Sequence, residues 1–213
     1  MTELDATSWW RSIPKFAYDT LRTIVDDTLG QFWPSATIPI DVEHIFEVGM
    51  QGTLIPIKQH KTATGQIAMA WADALEVTVD ESIFDKHEDL ARFAIAEQVA
   101  TYTLYGPIFQ TFERASMASW EDVLTSCPPN VSDEMRRTIS DFAGLLTVPS
   151  PQLERETSGC IKIALEAGLS LHSTWDPAWK AIATKLAKRF GVPRRVIFAR
   201  LRKDGLMERS RWS

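Results

Sequence analysis

The sequence contains no long apolar run, and its first residues are neither basic nor apolar. No stretch of about 18 consecutive apolar residues occurs in its 213 residues, which argues against a membrane-spanning helix. The first eight residues, MTELDATS, are acidic and lead into no apolar segment, so we expect no signal peptide. Hydrophobic residues make up 45% and charged residues 24% of the chain, as in globular proteins. We therefore expect a cytoplasmic protein without a membrane partner.

Cysteine and histidine are scarce and scattered. The two cysteines, Cys127 and Cys160, form no C-x-x-C pair, so neither a zinc knuckle nor a redox pair is indicated. No two of the four histidines are three to five positions apart, and we expect each to be a surface or capping residue: His44, His60, His87 and His172. The sequence thus predicts no metal ion and no cofactor.

Charge is distributed unevenly. Residues 176–213 hold eleven Lys or Arg and three Asp or Glu, a net charge of +8, whereas the rest of the chain carries −13. Such asymmetry indicates that the two parts meet different surfaces. The basic end is suited to nucleic acid or to an acidic protein face. Docking onto the chain's own acidic part is the alternative.

Apolar periodicity predicts a mainly helical α+β fold. We expect helices over 9–29, stopped by Gly30, and over 41–48, capped by Asp41. Further helices are expected over 89–105, ended by Gly106-Pro107, over 109–124, and over 133–146, capped by Ser132. The segments 53–57 and 66–79 are rich in β-branched residues and predict strands of a small antiparallel sheet. The sequence Pro149-Ser150-Pro151 marks a boundary between residues 1–150 and a helical part, residues 151–213.

The last helical part has the pattern of a helix-turn-helix. Within residues 182–203 one helix is expected to end near Phe190, Gly191 to make the turn, and Pro193 to start the next helix. In a DNA-binding version, Arg194 and Arg195 would lie where the second helix reads bases. Three further basic residues are predicted to contact phosphate: Arg200, Arg202 and Lys203. A solvated basic face with no DNA contact is the alternative.

Residues 92–105, RFAIAEQVATYTLY, have the frame of the metal-binding helix of a small zinc peptidase. Such a helix carries H-E-x-x-H, which places two zinc-binding histidines on one face and a general-base glutamate beside the first. Here Glu97 stands at the first histidine, Gln98 at the glutamate and Thr101 at the second histidine. A buried helix with this register by accident is the alternative.

Other segments extend the match in chain order. IPIDVE at 38–43 resembles the P-x-D-V-E-x-I opening of the ImmA/IrrE family of metallopeptidases, and RFAIA at 92–96 resembles that family's lead into H-E-L-G-H. The remaining similar segments are GQIA at 65–68 and LEVTV at 75–79 (hairpin strands), DFAGLLTVP at 141–149 (the F-A-A-E-L-L-M-P helix end), and LAKRFGV at 186–192 and RLRKDGL at 200–206 (the terminal motifs).

The resemblance implies a zincin-like domain whose chemistry is missing. The family's third zinc ligand is a glutamate shortly before the F-A-A segment, and the residues at that place are Arg136, Arg137, Thr138 and Ile139. A zinc peptidase needs about three protein ligands and one open position for water. Gln98 accepts no proton at neutral pH, and Thr101 is a poor zinc ligand. The expected active site is therefore vestigial.

The family acts on helix-turn-helix repressors, often in prophages, mobile elements or stress responses. The resemblance therefore implies an inactive pseudopeptidase that binds such a repressor as an antirepressor. A DNA-binding regulator working through residues 182–203 is the second hypothesis. A peptidase with unrecognised ligands is the third.

Overall fold

A computed structural model describes residues 9–35, 37–71, 74–112, 119–169, 171 and 177–208. In these ranges the fold is mainly helical with one small sheet. A 3₁₀ helix, Trp9–Ser12, precedes α1, Tyr18–Phe32, and α2, Val42–His44, continues as a π-helical turn, Ile45–Gly49. The following elements are β1, Thr53–Ile57; α3, His60–Thr64; β2, Ala68–Ala70; β3, Glu76–Asp80; and α4, Glu81–Lys86. The last six helices are α5, Glu88–Phe112; α6, Trp120–Ser126; α7, Pro129–Thr147; α8, Ser150–Glu166; α9, Pro177–Phe190; and α10, Arg194–Lys203.

The N-terminal helix differs from its predicted bounds at both ends. The chain is not α-helical between Ser12 and Tyr18, where Pro14 removes a backbone donor that a helix interior needs. At the other end α1 passes through Gly30 to Phe32, and Phe32 packs against the core. This packing offsets the cost of a helical glycine, about 1 kcal/mol. The prediction that Asp41 caps the next helix is confirmed, because its carboxylate accepts from the His44 N–H at 2.9 Å.

The small sheet is mixed, so the prediction of an antiparallel sheet is wrong. Strand β3 lies between β1 and β2; it is parallel to β1 and antiparallel to β2. The chain reverses once between β1 and β2 and again between β2 and β3, which makes the first and third strands parallel. The predicted hairpin survives as the β2–β3 pair, and β2 forms one edge of the sheet.

Helix α5 is the central element of the fold, and much of it is buried. Six side chains are almost inaccessible to solvent: Phe93, Ile95, Ala96, Val99, Ala100 and Leu104. The expected stop at Gly106-Pro107 is wrong, because α5 continues through Pro107 to Phe112. Proline in a helix interior costs about 3 kcal/mol. Tyr105 and Ile108 pack into the core on either side, and this burial offsets the cost.

The caps of the next two helices also differ from expectation. The predicted helix 109–124 is divided: α5 ends at Phe112, α6 begins at Trp120, and residues 113–118 lie outside the described ranges. Ser119 and Asp122 form a capping box at the start of α6. Helix α7 begins with Pro129 at its first position rather than after Ser132, since proline fits the first turn, where a backbone N–H has no helical partner.

The C-terminal helices pack on the rest of the chain through one continuous hydrophobic cluster. Phe142 and Leu146 of α7, Leu153 of α8 and Ile197 of α10 all belong to it. As predicted, α9 ends at Phe190, Gly191 makes the turn with φ +62°, and Pro193 caps α10. Whether this helix pair acts as a helix-turn-helix stays a prediction, as does the division into residues 1–150 and 151–213.

Candidate functional site

A cavity of about 440 Å³ lies between α5, β2, α6 and α7, and we refer to it as the α5 cavity. The three positions expected to be vestigial, Glu97, Gln98 and Thr101, all line it. Arg136, Arg137 and Ile139, from the segment where the third ligand was sought, line its opposite side. The cavity thus brings together residues that are about 40 positions apart in the sequence.

Gln98 is bonded to the edge strand. Its side-chain oxygen accepts from the Ala70 N–H at 3.0 Å, and its amide nitrogen donates to the Ala68 carbonyl at 3.3 Å. The neighbouring residues Ile67 and Trp71 bond towards β3, so Ala68 and Ala70 present the outer edge of β2. The Gln98 amide therefore forms hydrogen bonds with the backbone groups that an added strand would need.

Thr101 is also engaged within the chain. Its side chain is buried, and its hydroxyl donates to the Glu97 carbonyl one turn earlier on α5, at 2.9 Å. A threonine hydroxyl that satisfies itself in this way needs no partner across the cavity.

Glu97 is the residue of the α5 cavity whose pKa is shifted most clearly. Burial raises the pKa of its carboxyl from 4.5 to about 7, against the opposing effects of a hydrogen bond with Ser140 and the positive charges of Arg195 and Arg136. A carboxyl with this pKa is close to half protonated at neutral pH. It can therefore donate a hydrogen bond in one state and attract a cation in the other.

The arginines on the α7 side are not equivalent. Arg136 donates to the Glu121 carboxylate at 2.5 Å, so the two charges neutralise each other. Arg137 is exposed, and no carboxylate in the described ranges forms an ion pair with it. Thr138 points away from the α5 cavity and lines a second cavity beside Tyr105.

Within the part of the chain that the structure describes, no group of three His, Cys, Asp or Glu side chains is arranged to hold a metal ion. His44 and His87 are exposed, as expected. The expectation for His60 is wrong: it is buried, its ring lies 3.4 Å from the Thr78 hydroxyl, and burial lowers its pKa. His172 lies outside the described residues.

The five basic residues proposed for α10 have different environments. Arg200 is only 2% exposed, and its guanidinium donates to the carbonyls of Gly144 and Val148, to Ser150 and to Asp204. The prediction that Arg200 contacts phosphate is therefore wrong, since its donors are used to fix α10 on the end of α7.

The other four basic residues remain at the surface. Lys203 forms an ion pair with Asp141 of α7, which agrees with docking of the basic end onto the chain's acidic part. Arg195 is exposed and close enough to Glu97 to lower its pKa, but it lines a neighbouring cavity between α7 and α10 rather than the α5 cavity itself. Arg194 and Arg202 are exposed.

Sequence reasoning missed the wall that α6 contributes and the polar group at Ser140. Trp120, Glu121 and Leu124 line the α5 cavity, but the predicted helix 109–124 did not place α6 beside α5. Ser140 is four positions after Arg136, a spacing that puts both on one face of α7. That spacing was the available signal.

Comparison of the chain with protein-family models, with curated proteins and with solved structures found no match. The family resemblance therefore rests on the sequence segments themselves. No helix in the described ranges is both long enough and apolar enough to cross a membrane.

Proposed function

We propose that the chain is a cytoplasmic regulator without peptidase activity that acts by binding a partner protein, a helix-turn-helix repressor. The partner class comes from the ImmA/IrrE resemblance, and such a protein would act as an antirepressor. The residues of the α5 cavity support the absence of peptidase activity.

The observation that carries the proposal is the set of bonds made by Gln98 and Thr101. A zinc peptidase needs a carboxylate to take a proton from the metal-bound water. At that position Gln98 is a neutral amide whose oxygen already accepts from Ala70. The Thr101 hydroxyl donates to the Glu97 carbonyl of its own helix. Both side chains stabilise the fold at positions where a peptidase would keep reactive groups free.

The arrangement of α10 favours a protein partner over DNA. Arg200 and Lys203 are held by groups of the chain itself, and Arg195 lies towards Glu97. The remainder of the chain carries a net charge of −13, which opposes approach to a polyanion.

The proposal is tested with a helix-turn-helix repressor from the same genome bound to a fluorescent operator duplex. Adding the protein should lower the polarisation of the duplex saturably, at a stoichiometry set by complex formation, because the captured repressor leaves the operator. An unchanged polarisation at large excess over each such repressor would contradict the proposed function.

DNA binding through α10 is the second candidate, supported by the exposed Arg194 and Arg202 on a helix that follows a tight turn. If it holds, the protein should bind duplex DNA directly, with an affinity that falls steeply with salt. Arg194→Ala and Arg195→Ala would then each weaken sequence-specific binding by about 1–3 kcal/mol. Saturable binding that is independent of sequence and of these arginines would exclude this candidate.

A further inference from the structure

The α5 cavity has the size of a small-molecule site, with apolar side chains on one side and polar side chains on the other. Its volume of about 440 Å³ lies within the range of roughly 300–1,000 Å³ typical of ligand pockets. Trp120, Leu124 and Ile139 give it an apolar wall, and these side chains are otherwise buried. Polar groups of α5 and α7 converge on the other side. Pockets that bind small ligands combine apolar walls with a few polar groups in this way.

The charges around the cavity favour an anion. Glu121 neutralises Arg136, whereas Arg137 forms no ion pair with a carboxylate in the described ranges. Arg195, which lines a neighbouring cavity, adds positive potential near Glu97 without lining the α5 cavity. A guanidinium that keeps its donors free pairs with a carboxylate through two parallel hydrogen bonds.

The edge strand favours a compact ligand over an extended peptide. A peptide that ran along β2 would need the Ala68 carbonyl and the Ala70 N–H, and the Gln98 amide holds both. A ligand that only fills the cavity leaves these bonds in place.

We propose that the α5 cavity binds a small monocarboxylic acid, with its carboxylate paired to Arg137 at the cavity mouth and its apolar body against Trp120, Leu124 and Ile139. This site is separate from the proposed capture of a repressor. Acid binding and operator release are independent measurements, so the failure of either leaves the other to be judged by its own experiment.

Glu97 makes the binding pH-dependent. The charged groups facing it are Arg136 on α7 and Arg195 on α10, with Glu121 on α6 paired to Arg136. The described lining from β2, Ala68 and Met69, carries no charge, and neither does Gln66, two positions before the strand. Because the pKa of Glu97 is about 7, the cavity gains a negative charge as the pH rises through neutrality. That charge repels a carboxylate, so acid binding weakens as the pH rises.

The test compares three probes of equal length by isothermal titration calorimetry: 3-phenylpropanoate, 3-phenylpropan-1-ol and 3-phenylpropylamine. The acid should bind saturably and about tenfold more tightly than the alcohol, the difference expected from one charge-assisted hydrogen bond. The amine should bind more weakly than both. An amine that binds best, or no saturable binding by the acid, would overturn the proposal.

Two variants locate the interaction. Arg137→Gln should weaken the affinity for the acid about tenfold and leave the affinity for the alcohol unchanged. Arg155→Gln, at an exposed site on α8, should change neither affinity. Glu97→Gln should make acid binding independent of pH between about 6 and 8. Equal loss of acid and alcohol binding in Arg137→Gln, or an unchanged pH profile in Glu97→Gln, would contradict the assigned roles.

Discussion

Replacing Glu97 by glutamine should change how the stability of the protein depends on pH. The pKa of the Glu97 carboxyl is about 7 in the folded protein and 4.5 without the fold, because burial disfavours the charged form. Between these values the unfolded chain loses the proton while the folded protein keeps it. The unfolding free energy therefore falls as the pH rises from 4.5 and stops falling above about 7.

The magnitude follows from the two pKa values. Each pH unit between them is worth about 1.36 kcal/mol, so the ionisation of Glu97 costs the folded protein about 3 kcal/mol above neutrality. Glu97→Gln removes this cost and keeps the size of the side chain. The variant should match the parent near pH 4.5 and exceed its unfolding free energy by about 3 kcal/mol near pH 8.

Urea unfolding followed by circular dichroism, at several pH values from about 5 to about 8, measures the difference between variant and parent. Other titrating groups contribute to both proteins and cancel. Glu154→Gln, at an exposed position on α8, is the matched control and should give a difference near zero throughout. A Glu97→Gln difference that stays constant with pH would refute the assignment of a buried, protonated carboxyl.

Four further results are expected. Phe93→Ala should destabilise the protein by about 3–5 kcal/mol in urea unfolding, because it empties a buried site on α5; a loss below about 1 kcal/mol would show that the side chain is not core. Arg200→Ala should cost about 3–5 kcal/mol because the buried Asp204 carboxylate loses its closest cation and keeps only the Tyr18 hydroxyl at 3.0 Å and Arg22 at 3.6 Å, whereas the exposed Arg202→Ala should cost under about 0.5 kcal/mol; equal effects would contradict the buried network. Gln98→Ala should cost about 1–3 kcal/mol through the unpaired edge of β2, with faster amide exchange at Ala70, and unchanged exchange there would refute the contact. Metal analysis of the purified protein should find no stoichiometric zinc, and about one tightly held zinc ion per chain would contradict this.

The sequence predicted the presence of the helices better than the residues at which they end. Helical periodicity predicted the start of α5 closely, because every turn repeats the same apolar positions. It did not predict that α5 passes through Pro107 or that α1 passes through Gly30. Local propensity favours a break at both places, and tertiary packing on either side decides otherwise.

The candidate site could be predicted in its α5 part and in the neighbourhood of Arg136 on α7, but not in its α6 wall. The spacing of Glu97 and Thr101 placed them on one face of a helix, and the structure gives both to one cavity. The opposite roles of Arg200 and Arg202 have no signal in the sequence, because burial depends on how α10 meets α7. Ion pairs between distant segments, such as Arg136 with Glu121, likewise cannot be predicted from the sequence, because the fold decides which charges meet.

The absence of catalysis in a working regulator is tested most directly by the mass of the partner. The repressor is recovered after the protein has released it from its operator, in the presence of added zinc, and its intact mass is measured by mass spectrometry. The account predicts that operator release occurs and that the repressor keeps its full mass. Complementary repressor fragments that accumulate to more than one equivalent of the added protein would contradict it.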